Sequence, residues 1–166
     1  MLRRLKMLNE VLKILEEDAR RTPDEIAAMT GLKPEEVSSI IKKAEEGHLI
    51  IKYKAIVNWS KLQDEHILAL IEVKTSPEKE TGFDAIAETI ARYPQVNTLY
   101  LVSGTYDLAV IAVGKTLQEI ASFVTQKLAP LEGVQSTATH FLLKKYKEDG
   151  VILEGGEENR RQSVVL

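Results

Sequence analysis

The chain has 166 residues, 44% hydrophobic and 28% charged with a net charge of −3, the proportions of an ordinary globular protein with room for one large or two small domains. No apolar run approaches the ~20 residues a membrane helix needs, the N-terminal stretch lacks the unbroken apolar core of a secretion signal, and without cysteine neither disulfides nor a cysteine zinc site can form. The expectation is a cytoplasmic protein with no membrane association, whose halves differ in charge: residues 1–62 carry twelve basic against ten acidic side chains (+2), residues 63–166 ten against fifteen (−5).

In chain order, Leu2, Leu5, Leu8, Leu12 and Leu15, with Val11 and Ile14 beside them, mark the 3.6-residue stripe of an amphipathic helix. Thr22-Pro23-Asp24-Glu25 opens a short second helix to about Met29: Thr22 caps it, Pro23 suits its first position, and Glu25 reaches back to close a capping box. A third helix from Pro34 carries Val37, Ile40, Ile41 and Ala44 on one side and Glu35, Ser38, Ser39, Lys42 and Lys43 on the other. A helix, a turn containing Gly31 and a second helix make a helix-turn-helix pattern. In such a unit the exposed side of the later helix enters the major groove of double-stranded DNA, where Ser meets base edges and Lys meets phosphates or guanine. The same spacing also describes a plain three-helix bundle with a solvated third helix. Residues 49–57 alternate as a strand or small wing with Lys52 and Lys54 on one side, which would add phosphate contacts. The candidate DNA-binding residues are therefore Ser38, Ser39, Lys42, Lys43, Lys52 and Lys54.

Residues 58–65 read as a linker, after which strand and helix signals alternate. His66 to Thr75 is a strand, and Gly82 to Tyr93 a helix with the stripe Phe83, Ile86, Ala87, Ile90 and Ala91. Val96 to Val113 is two apolar runs meeting at Ser103-Gly104-Thr105-Tyr106-Asp107, a tight hairpin. Thr116 to Leu128 is a helix with the stripe Leu117, Ile120, Ala121, Val124 and Leu128, opened by a Thr116/Glu119 capping box; Val134 to about Tyr146 is the last strand. The Tyr-Asp corner has two readings. It is either a site, because a turn needs only Gly and one polar residue, or a plain turn in which Gly104 takes a positive φ and Asp107 hydrogen-bonds its own turn. The order βαββαβ is the ferredoxin-like split arrangement. Two helices cover one face of such a sheet, yet the first and third strands are apolar on both faces, so the other face calls for a second copy and an isologous homodimer. The expected fold is α+β: a winged helix-turn-helix in residues 1–57, a linker in 58–65, a ferredoxin-like domain in 66–149 and a tail in 150–166 that is either loosely held or strapped to a neighbour.

This order of parts, with the segments Lys13–Arg20, Asp24–Leu32 and Val102–Asp107, resembles the leucine-responsive/asparagine-regulator (Lrp/AsnC) family of transcription factors from about Leu8 to Tyr146. The resemblance implies a homodimer built through the C-terminal sheets, further assembly into octamers or discs, and an effector site for an amino acid or related small metabolite near the corner. Ser103, Gly104, Tyr106 and Asp107 would line that site, with Thr137 and Thr139 contributing; Asp107 would receive an α-ammonium group and backbone N–H groups near Gly104 a carboxylate. The chain departs from the family's usual pattern where the reading helix has Ile40 in place of Arg, where Lys33 replaces a Ser or Thr cap, and where Glu35 and Glu36 repel phosphate. Two rival classes remain at this point. One is an enzyme resembling the sirohaem decarboxylases; the other is a module whose helix-turn-helix serves protein contacts. His48, His66 and His140 show no metal-ligand spacing, and no nucleophile stands beside a base. No catalytic residue, metal or cofactor is therefore expected.

Overall fold

The computed structural model describes residues 2–62, 66–76 and 82–153, and the chain divides into two compact units, residues 1–56 and 57–166. The first holds three helices, α1 (Leu2–Glu17), α2 (Pro23–Thr30) and α3 (Pro34–Glu46). Thr22 opens α2 as its spacing predicts: its hydroxyl accepts the Glu25 N–H at 3.3 Å and the Glu25 carboxylate accepts the Thr22 N–H at 2.8 Å, satisfying two otherwise orphaned donors. Gly31, at φ 71°, ends α2 by donating to the Ala27 carbonyl, a left-handed conformation that costs other residues ~1–2 kcal/mol. Val11, Leu15, Ile26, Ala27 and Val37 form the core, with Ile40 and Ile41 packed against it. Burial on α1 thus starts later than the apolar stripe does, and Leu5 is 56% exposed.

Two features near α3 differ from expectation. The left-handed position after the helix is taken by His48, at φ 54°, although Gly47 precedes it at φ −84°. Gly47 is held there by space, since a Cβ would lie 3.0 Å from the Lys43 carbonyl oxygen. Residues 51–58 form no strand. The alternation that predicts a wing has no neighbouring strand to pair with among the described residues, and Ile51, Tyr53, Ile56 and Val57 stay exposed. The linker segment contains a short 3-10 turn, Trp59–Leu62; residues 63–65 and the tail from 154 onward lie outside the described residues.

The second unit contains β1 (Ile67–Thr75), α4 (Asp84–Ala91), β2 (Val96–Leu101), β3 (Leu108–Gly114), α5 (Leu117–Phe123) and β4 (Val134–Leu142). The strands make one antiparallel sheet in the order β2-β3-β1-β4, the ferredoxin-like topology. Alternate residues Ala69, Ile71 and Val73 of β1 and Leu108, Val110 and Ala112 of β3 are buried with Ile90, Ile120, Phe123, Val124 and Leu128 from the helical layer. Tyr93 meets Phe123 edge-on with ring centroids 5.5 Å apart. On the other face Leu68 and Leu70 sit beside Val113 and Ile111, all four half-buried.

Several boundaries shift. Ala91, the last residue of α4, is exposed. After Phe123 the helix widens into a π turn, Val124–Leu128; Phe123, three residues after Ile120, is in the core, while Leu117 is 53% exposed. The Thr116 hydroxyl does accept the Glu119 N–H, but the Glu119 carboxylate accepts the Lys115 N–H at 2.8 Å, so the reciprocal half of the expected box is missing. β4 stops at Leu142 rather than Tyr146, and a separate small hairpin, β5 (Lys147–Glu148) with β6 (Val151–Ile152), follows.

Candidate functional site

In the first unit, Ser38, Ser39, Lys42 and Lys43 are all exposed on α3. Lys42 is within 3.9 Å of Glu46, both side chains being more than half exposed, so the pair holds it only weakly. Of the two acidic residues at the start of the helix, Glu36 turns its carboxylate back to accept the Lys33 N–H at 3.0 Å. It thus supplies a cap that the Lys33 side chain cannot provide. Ser39 and Lys43 border an open groove of about 840 Å³, whose far wall is Arg4, Leu5 and Leu8 of α1. Lys52 and Lys54 lie on the exposed irregular stretch after α3, and the Tyr53 hydroxyl between them donates to Glu45 Oε1 at 2.9 Å, tying that stretch to the helix end.

In the second unit, residues 102–107 join β2 to β3, and the corner is docked on β1. The Asp107 N–H donates to the Val73 carbonyl at 3.0 Å. Its carboxylate accepts the Thr75 N–H at 2.8 Å, the Lys74 ammonium at 3.2 Å and the Thr75 hydroxyl at 3.4 Å, leaving the side chain 16% exposed. The Thr75 N–H above all, and then the Lys74 ammonium, hold the Asp107 carboxyl below the usual carboxylate range, against an opposing effect of burial. Neither half of the plain-turn reading describes this corner. The Asp107 side chain bonds β1, while within its own turn only the Asp107 carbonyl is engaged, accepting the Val102 N–H at 2.8 Å; Gly104 does not adopt a positive φ, and a Cβ there would meet nothing within 4 Å.

Beside the corner is a cavity of about 220 Å³ lined by Glu72, Lys74, Thr105, Tyr106, Ser136, Thr137 and Ala138. Glu72 Oε1 lies 3.3 Å from His140 Nε2 on the neighbouring strand. Of the residues expected to hold an effector, Tyr106 and Thr137 line this cavity. Ser103 and Gly104 are exposed on the corner outside it and Asp107 is not among its lining residues, while Thr137 and Thr139 pair with the buried Val73 and Ile71, which assigns both to the helix-covered face of β4 and leaves Thr137 as a border residue beside Ser136 and Ala138. Glu72, Lys74 and Ser136 escape a reading that follows apolar runs. The available signal was a pair of opposite charges two residues apart inside an otherwise apolar strand, which alternation puts on one face.

Residues 3–51 match the family model for winged helix-turn-helix DNA-binding domains, and residues 68–152 match that for the Lrp/AsnC ligand binding domain. The HTH-type transcriptional regulator YugG of Bacillus subtilis, itself uncharacterized, is 44% identical over 153 residues, 92% of each chain. The HTH-type transcriptional regulator FL11 of Pyrococcus furiosus is 31% identical over 139 residues, 84% of this chain and 89% of that one. Among solved structures, the fold is shared with transcriptional regulator NMB0573 from Neisseria meningitidis in complex with L-Met, at a TM-score of 0.68 and 23% identity over 90% of this chain and 96% of that one. It is shared likewise with E. coli AsnC, at a TM-score of 0.66 and 17% identity over 86% and 94%. With both halves matched in this order and a relative alike over nearly its whole length, the chain belongs to the Lrp/AsnC family of HTH-type transcriptional regulators.

Proposed function

We propose that residues 1–57 read double-stranded DNA through Ser38, Ser39, Lys42 and Lys43, with Lys52 and Lys54 on the backbone, and that residues 66–149 bind a small effector, an amino acid, beside the Tyr106 corner. The observation that carries the effector half is the cavity of about 220 Å³ whose lining joins an acidic side chain, a basic one, hydroxyls and the aromatic residue Tyr106. It is smaller than the ~300–1,000 Å³ of drug-sized sites and suits a molecule of amino-acid size. The L-Met found in the Neisseria regulator supports that class of ligand. The chain works in the cytoplasm beside its DNA, as a homodimer through the open sheet face and in larger assemblies up to an octamer. Effector entry alters how dimers meet and hence the spacing of the reading heads, which requires the effector to bind the two assemblies with different affinity. Several weak heads on one assembly then hold a long operator far more tightly than one. The relatives are named as regulators, and no catalytic step is assigned to any residue.

Calorimetric titration with each of the twenty amino acids tests the effector half, with binding of one or a few expected. DNA affinity measured at rising salt tests the other half. A steep fall is expected, whereas a module that only contacts proteins shows none.

A further inference from the structure

We infer that Glu72, not Asp107, receives the ammonium group of the effector, and that Glu72 and Lys74 together select a zwitterionic α-amino acid. This rests on the proposal that an amino acid binds in the cavity beside Tyr106.

Asp107 is the obvious acidic partner by sequence, yet its carboxylate is engaged on both oxygens by Thr75 and Lys74 and is not among the residues that line the cavity. An ammonium group arriving there would compete with the Lys74 ammonium for Oδ1 or with the Thr75 N–H, at 2.8 Å, for Oδ2, the contacts that pin the corner. Glu72 lines the cavity, and its side chain is 33% exposed. Its Oε1 lies 3.3 Å from His140 Nε2, while Oε2 makes no hydrogen bond among the described residues. Lys74 also lines the cavity; its ammonium spends one of its three donors on Asp107 and, among the described residues, keeps two to offer. Residues i and i+2 of a strand lie on one face about 6.6 Å apart. That span admits two charge-assisted hydrogen bonds of about 2.8 Å to the ends of a molecule whose ammonium and carboxylate stand on a single carbon. Ser136, opposite Lys74 on β4, and Thr105 supply hydroxyls at the rim. Asp107 is then a positioning residue, which fixes where Lys74 and the corner stand.

The test uses the full chain and calorimetry with the tightest-binding amino acid and its des-amino analogue, the same acid with hydrogen in place of the ammonium group. The native protein is expected to prefer the amino acid at least tenfold. E72Q is expected to lose most of that preference while binding the analogue as before, and D107N, though less stable, is expected to keep it. If E72Q fails to fold, E72D is expected to fold and to weaken the amino acid severalfold without affecting the analogue. Retention of the full preference by E72Q, or its loss in D107N alone, overturns the role given to Glu72 and leaves amino-acid sensing standing. Failure of all twenty amino acids to bind the native protein overturns both.

Discussion

Two side chains hold conformations whose consequences can be measured singly. Because the folded structure depresses the Asp107 pKa below its ordinary 3.8, the ionised carboxylate stabilises the fold above that value, and the contribution disappears as pH falls through the depressed pKa. D107N is therefore expected to melt below the native protein at neutral pH, with the gap closing in acid below 3.8. A gap that stays constant across thermal melts in that acid range would show that the carboxylate charge is not what pins the corner. His48 sits in the left-handed region at φ 54°, where glycine carries no Cβ penalty. H48G is expected to raise stability by about 1 kcal/mol in urea unfolding, less the entropy it adds to the unfolded chain; a loss of stability would mean that the imidazole makes a contact worth more than the strain.

At the scale of elements, the helices follow from their own residues and the sheet's functional face does not. Thr22, Pro23 and Glu25 act within four residues of one another, so the start of α2 can be read locally. The partner of Asp107 lies 32 residues away, and nothing near the corner announces it. For α3, replacing Lys42 and Lys43 together by Ala is expected to weaken DNA binding on all sequences alike and to reduce the slope of log affinity against log salt by about two, roughly one per phosphate contact. An unchanged slope in a filter or anisotropy titration would move the phosphate contacts off this helix. The wing misreads for a related reason: alternation says that a segment is suited to a strand, but a strand also needs a neighbour, and residues 51–58 have none within the described chain.

For the whole molecule, the sheet face opposite α4 and α5 presents Leu68, Leu70, Ile111 and Val113, all half-buried. A second copy of the sheet offers the matching surface. I111D is expected to leave the helix-covered core intact and to shift sedimentation from dimer to monomer; an I111D dimer of native affinity would place the contact elsewhere. The sequence by itself determined the helix-turn-helix, the βαββαβ order and the family, because periodicity, caps and turn residues act over a few positions and survive without neighbours. Only the tertiary structure decided that Asp107 is spent inside the fold, that Thr139 faces the helices, and that Glu72 and Lys74 look into the cavity. Those outcomes depend on strand register and on contacts between distant segments, where a shift of one residue turns a side chain to the opposite face.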